Sequence, residues 1–177
     1  PYFGEFYGNP SSMYTFGDEV GKKIKKARQQ VAEHGQPNPF RNIGRRQVAD
    51  AAEALAREIG GIASAVDVAS NESVAAMCAA ATAAWGRVDI LVNNAGMIAL
   101  GTIVDTDLAA WRMINAVNSD GVFLGCKHAI PAMAETGGGS IINMSSVAAI
   151  QGQSFVAAYT ASKGAVRALT KNIAMFC

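Results

Sequence analysis

From Arg45 onward the chain alternates between helical and strand patterns, and this alternation limits the possible folds more than any other feature of the sequence. The helical stretches are 45–59, 71–85, 107–135 and about 155–177, and the short apolar runs between them are 62–68, 88–92 and 140–144. Short strands that alternate with longer helices form right-handed βαβ units. We therefore predict an α/β fold with a doubly wound parallel sheet.

Small residues punctuate these elements. Gly60-Gly61 ends the first helix, and Ser70 is placed to cap the second. Pro131 is expected to bend or break the long third helix. The glycines at 137–139 release the chain into the strand that follows, and this strand and 88–92 are predicted to be buried on both faces.

The first forty residues differ from the rest, because they are rich in glycine and proline and show one helical pattern, at 18–33. We predict a separate N-terminal segment over 1–40 and a partial α/β domain over 41–177. The lysines at 22–26 are most simply a solvated helix face.

Composition bears on the possible partners. Half of the residues are apolar, 16% are charged and the net charge is +1, so we predict neither a nucleic acid nor a membrane as partner. Cys78, Cys126 and Cys177 are widely spaced, with no CxxC pair. This usage is typical of reduced thiols in a cytoplasmic protein, and we predict no metal site.

Tyr159 and Lys163 are four residues apart on the last predicted helix, so their side chains share one face. An ammonium beside a phenol stabilises the phenolate, which suits the tyrosine to exchange a proton with a carbonyl or alcohol oxygen. The same spacing is also compatible with a surface lysine one turn from a core tyrosine.

Two further polar groups follow predicted strands, at the sheet edge where ligands of α/β proteins bind. Asn93-Asn94-Ala95-Gly96 comes directly after the strand 88–92, where small residues allow close approach of a flat ligand. Ser146 follows the strand that ends near 144. An ordinary turn at 93–96 and a capping role for Ser146, or equally Ser145, are the alternatives.

Taken in order, NNAG after a strand, Asn118 within AVNSDGVF, Ser146 and the YTASK string at 159–163 resemble the short-chain dehydrogenase/reductase family over about residues 41–177. The resemblance implies a Rossmann-like domain that binds NAD or NADP and acts on a small-molecule alcohol or ketone. It implies that Tyr159 is the general acid/base, Lys163 assists it and binds the nicotinamide ribose, Ser146 polarises the substrate carbonyl and Asn118 holds a relay water. Asn115 fits the relay less well. The residues implied for cofactor binding, besides Tyr159 and Lys163, are Asp67, Val68, Asn93, Ala95 and Gly96.

The sequence also departs from this family. The family's first strand, Gly-rich phosphate turn and second strand have no counterpart that we identify, and neither have its C-terminal strands. We therefore expect an incomplete sheet in which 62–68 lacks a neighbour, a marginally stable chain, and impaired or absent activity, as in a non-functional fusion or misassembled fragment. Arg41 weakly favours NADP, but the sequence does not decide between NAD and NADP. Family members pair through two long helices, here 107–135 and 155–177.

Residues 1–33 resemble a different family, the pyridoxal-phosphate-dependent cysteine desulfurases. The resemblance is carried by YGNPSS at 7–12, a following Phe16-Gly17 and a basic helix. No position matches that family's Schiff-base lysine, cofactor-binding histidine or sulfur-accepting cysteine. A remnant of such an enzyme is therefore a further alternative.

Overall fold

A computed structural model of the protein describes residues 45–177. Of these, residues 45–65 belong to one compact unit and residues 66–177 to another. The predicted helix at 18–33 and the predicted boundary between residues 40 and 41 lie outside the described residues.

Helix α1 in the first unit spans Arg45–Ile59, as the apolar spacing predicted. Gly60 adopts a left-handed conformation with φ of 71°, and the Gly61 N–H donates to the carbonyl of Ala56 at 2.7 Å. This pattern of a left-handed residue followed by a bond five residues back closes the helix end. The stop predicted at these two glycines is confirmed.

The strand predicted at 62–68 is wrong. Residues 62–67 carry no strand pairing within the described part of the chain. A strand is defined by its ladder, so an apolar run without a hydrogen-bonded neighbour has no regular structure of its own.

The second unit contains, in chain order, α2 Asn71–Trp85, β1 Ile90–Asn93, α3 Leu108–Asn115, a π-helical segment Ala116–Asp120, α4 Gly121–Ala134, β2 Ser140–Asn143, α5 Ala148–Gln151 and α6 Ala157–Phe176. Strands β1 and β2 are parallel neighbours, with Ile90 opposite Ser140 and Asn93 opposite Asn143. The helices α3 and α4 connect them. The parallel α/β arrangement is confirmed, with two strands in the described residues.

The ends of α2 follow local sequence signals. The Ser70 hydroxyl accepts a hydrogen bond from the Ser73 N–H at 3.2 Å, which satisfies a backbone donor in the first turn. Gly86 closes the helix with φ of 75°, a conformation that glycine adopts without steric cost. The N-cap predicted at Ser70 is confirmed.

The prediction that both faces of each strand are buried is wrong. Leu91 and Ile141 pack against a core cluster of Cys78, Ala129 and Met133, so α2 and α4 cover one face of the sheet. On the other face Ile90 is 65% exposed and Val92 52% exposed. Burial therefore alternates along each strand, because consecutive side chains point to opposite faces of the sheet.

The long helix does not break at Pro131. Helix α4 continues through this residue to Ala134. The missing proline N–H removes one backbone bond, and here it falls on the exposed side near the helix end. Regular α geometry is interrupted earlier, where the Gly121 N–H donates to the Ala116 carbonyl five residues before it.

Candidate active site

The carboxyl ends of the two strands meet side by side. β1 ends at Asn93 and β2 at Asn143, and the Asn93 Nδ2 donates to Asn143 Oδ1 at 2.8 Å. Residues 94–97, hereafter the β1 loop, and residues 144–147 continue from this edge. Ligands of open α/β sheets bind at such an edge, and the candidate residues gather around it.

Lys163 is the buried charge of the site. Its side chain lies on α6, the residue is 4% exposed, and Nζ donates to the carbonyl of Met144 at 2.7 Å. The ammonium lies 5.8 Å from the centroid of the Tyr159 ring, within the range of a cation–π contact. Burial lowers the pKa of Lys163 below its ordinary value of 10.5, because desolvation disfavours the charged form.

Hydroxyl groups anchor the turn of α6 that carries Tyr159 and Lys163. The Ser162 Oγ donates to the Tyr159 carbonyl at 2.7 Å, and the Ser145 Oγ donates to the Lys163 carbonyl at 2.9 Å. Ser145 lies just beyond β2, so the second bond ties α6 to the end of the sheet. The predicted pairing of Tyr159 and Lys163 on one helix face is present in the structure.

Asn118 lies in the π-helical segment and is fully buried. Its Nδ2 donates to the Met97 carbonyl at 2.9 Å and to the Ser162 Oγ at 3.0 Å, and its Oδ1 accepts from the Met97 N–H at 2.8 Å. Asn115 instead donates to the Trp111 carbonyl within its own helix. The structure thus brings Asn118, and not Asn115, against the β1 loop.

Gly96 lies between the two polar groups of the site. A Cβ built on Gly96 would be 3.4 Å from Lys163 Nζ and 3.5 Å from Asn118 Oδ1. Because glycine has no Cβ, the Gly96 backbone lies next to the Lys163 ammonium, and a narrow space remains where the Cβ would be. The neighbouring Ala95 is exposed.

Ser146 is partly buried at the start of α5. Its Oγ accepts a hydrogen bond from the Ala148 N–H at 3.2 Å, two residues further on, which is the contact of a serine turn leading into the helix. An accepting hydroxyl keeps its own hydrogen for donation, so this contact is compatible with a second role toward a ligand.

The remaining residues implied for cofactor binding occupy different surroundings. The Asn93 amide reaches Asn143 and the Cys126 Sγ, at 3.6 Å from the thiol, so it holds the strand ends together. Asp67 is exposed, and its carboxylate accepts from the Ala69 N–H at 3.0 Å. Val68 approaches the start of α4, where a Cβ on Gly121 would be 3.1 Å from its Cγ2.

Sequence reasoning missed three contributors to this site: the Ser162 hydroxyl, the Met97 backbone and the Met144 carbonyl. Ser162 could have been found, because it follows Tyr159 by three residues and shares its helix face. Backbone groups carry no signal in residue type, so Met97 and Met144 could not.

Comparison with known proteins gives one family model, described as "Enoyl-(Acyl carrier protein) reductase", that matches residues 25–177. A trans-4-hydroxycyclohexanecarboxylate dehydrogenase of Sinomonas cyclohexanicum is 46% identical over 110 residues, which cover 62% of this chain and 42% of the relative. A 3-alpha-(or 20-beta)-hydroxysteroid dehydrogenase of Mycobacterium tuberculosis is 42% identical over 125 residues, covering 70% and 48%. A D-threitol dehydrogenase of Mycolicibacterium smegmatis is 41% identical over 131 residues, covering 71% and 50%.

The chain spans about half the length of these curated relatives. The family match begins at residue 25, inside the stretch 1–33 whose sequence resembles that of the cysteine desulfurases. None of the proteins compared above is a desulfurase. Among residues 45–177, no helix has the length and apolar character needed to cross a membrane.

Proposed function

The chain belongs to the short-chain dehydrogenase/reductase family, and from this premise we propose that it is an NAD- or NADP-dependent oxidoreductase acting on an alcohol and the corresponding ketone. One observation carries the proposal: a buried Lys163 ammonium beside the Tyr159 ring at the carboxyl edge of a parallel sheet. The relatives compared above, which are dehydrogenases of hydroxy compounds, support the same class of reaction.

The described residues fit the nicotinamide end of such a cofactor. The Gly96 backbone lies beside Lys163, and the ammonium can donate to ribose hydroxyls with the N–H groups that Met144 does not use. Ala95 would line the same cleft, and Asp67 with Val68 would approach the adenine end. Bound NAD(P) supplies the hydride acceptor or donor, while the protein orients the substrate and moves the proton.

The proton transfer follows from the chemistry of the side chains. The Tyr159 phenol would give its proton to the carbonyl oxygen in reduction, and the Tyr159 phenolate would take the proton of the alcohol in oxidation. The Lys163 ammonium lies 5.8 Å from the centroid of the Tyr159 ring, so a positive charge stands beside the group that would exchange the proton. Ser146 would donate its hydroxyl hydrogen to the same substrate oxygen, since the bond from the Ala148 N–H uses a lone pair of the hydroxyl and not its hydrogen.

Asn118 would take part in the proton relay by accepting a hydrogen bond from a water molecule, either at its side-chain oxygen or at its backbone carbonyl. Both N–H hydrogens of its amide are used by Met97 and Ser162. A relay water would therefore be held as a hydrogen-bond donor to an oxygen of Asn118, and not as an acceptor from its side chain.

The test is nucleotide binding and turnover by the purified full chain. We expect NADH or NADPH to raise the thermal midpoint, since a ligand specific for the folded form stabilises it. Tyr159→Phe should lower kcat for a secondary alcohol about 100-fold or more while nucleotide binding persists. Lys163→Met should weaken both binding and turnover, and Lys171→Met, an exposed lysine on the same helix, should change neither. Equal effects of the two lysine variants would refute the assignment.

The same experiment separates the alternatives. A folded chain that binds neither nucleotide would indicate an inactive product, such as a fusion or misassembled fragment. Binding of pyridoxal phosphate would favour a desulfurase remnant.

A cytoplasmic location fits the three free thiols. Pairing through the long helices fits the exposed Met113 and Phe123, and sedimentation would test it.

A further inference from the structure

Ser162 is fully buried between two groups of the candidate site. It lies between Tyr159 and Lys163 on α6, and its hydroxyl contacts both the Tyr159 carbonyl and the Asn118 amide. The proposed chemistry assigns this hydroxyl no role. A buried hydroxyl with two well-formed hydrogen bonds is costly to remove, because its partners lose their compensation for desolvation.

The direction of each bond is determined by the groups involved. A hydroxyl has one hydrogen, and the Tyr159 carbonyl can only accept, so Ser162 donates to it. Its lone pairs then face Asn118, which must present an N–H. The two bonds to the Met97 backbone demand the same orientation of the amide, since the Met97 N–H needs Oδ1 and the Met97 carbonyl needs Nδ2.

This chain of bonds reaches the Gly96 backbone. Asn118 holds Met97 by two hydrogen bonds, and Gly96 is the residue directly before it. Gly96 in turn lies against Lys163 Nζ. The distance between the β1 loop and the ammonium therefore depends on the orientation of the Asn118 amide.

We propose that Ser162 is a positioning residue that, through Asn118, holds the Gly96–Met97 backbone against Lys163. The proposed function makes this backbone part of the nucleotide-binding surface, so the consequence for nucleotide affinity rests on that proposal. The mechanical part does not, because it concerns hydrogen bonds within the chain.

The variant that tests this is Ser162→Ala. It leaves one Asn118 N–H without the Ser162 acceptor, so the orientation of the amide is then held by the two Met97 bonds alone. Ser119→Ala is the matched control, because the Ser119 Oγ donates to the Ser162 carbonyl at 3.3 Å, a bond to the same residue that does not involve the Asn118 amide. Ser162→Cys retains a weak acceptor at the same position.

The readout is hydrogen exchange of the Met97 N–H, measured by NMR on the full chain without nucleotide. We expect this exchange to accelerate about tenfold or more in Ser162→Ala, relative to amides of the α4 core, since a net hydrogen bond of this kind corresponds to roughly that factor. Ser119→Ala should leave the ratio unchanged, and Ser162→Cys should fall between wild type and alanine. If Ser162→Ala does not fold, the comparison of the cysteine variant with Ser119→Ala decides.

Acceleration of Met97 no greater than that of the core amides would overturn the proposal. In a chain that binds NAD(P)H, Ser162→Ala should also raise Kd about tenfold while Ser119→Ala does not. Failure of the wild-type chain to bind any nucleotide would refute the proposed function, whereas the Met97 exchange would still decide the role of Ser162.

Discussion

Gly125 on α4 has no room for a methyl group beside the Asn93 amide. A Cβ at this position would overlap Asn93 Oδ1 and lie 3.0 Å from its Cγ, so the amide would have to move. The Asn93 amide would have to swing away from Asn143 and Cys126, its partners at the ends of the two strands. Gly125→Ala therefore removes the side-chain contacts that join the strand ends on which the site is built.

The expected magnitude follows from three contributions. Overpacking a well-packed site costs about 1–3 kcal/mol. Loss of the hydrogen bond between Asn93 and Asn143 costs about 0.5–1.5 kcal/mol. Alanine in place of glycine stabilises a helix by about 0.5–1 kcal/mol, which offsets part of this cost. The free energy of unfolding should fall by about 2 kcal/mol, with overpacking the largest contribution.

Gly164→Ala is the matched control, because it is the same substitution in a helix with no atom within 4 Å of the added Cβ. This variant should be more stable than wild type by about 0.5–1 kcal/mol. Urea denaturation followed by tryptophan fluorescence measures both, since Trp85 and Trp111 lie in the second unit. If Gly125→Ala is as stable as Gly164→Ala, the packing argument at Asn93 is wrong.

Two further predictions concern charge and capping. Because the pKa of Lys163 is lowered on folding, the unfolded chain binds more protons between that lowered pKa and 10.5, and stability gains with pH in this window. Urea denaturation should therefore show the wild type gaining stability relative to Lys163→Met as pH rises toward 10.5. The raised pKa values of the Cys78 and Cys126 thiols act in both proteins and cancel, and a constant difference would contradict the desolvation argument. Ser70→Ala should lower the free energy of unfolding by about 1 kcal/mol through loss of the α2 cap, and an unchanged urea midpoint would show that this cap is not stabilising.

Local elements were predictable because their signals are local. Apolar spacing and the glycines at 60–61 predicted α1 with its bounds, and the same reasoning placed α2 and its cap at Ser70. The strand at 62–68 failed for the complementary reason: its sequence favours extended backbone, but a strand also needs a partner. The prediction that Ile90 and Val92 are buried was wrong for a similar reason, since apolar character does not determine which face of a sheet is covered.

The site shows the same division. The amino-acid sequence by itself identified Tyr159, Lys163, Ser146 and Asn118 as the candidate residues, because residue types at short, characteristic spacings carry chemistry. Tertiary structure alone decided the partners of Asn118, which are distant in sequence: Met97 lies 21 positions away and Ser162 lies 44 positions away. Such contacts depend on how α3, α4 and α6 pack around the strand ends, and packing is a property of the folded chain that no local pattern contains.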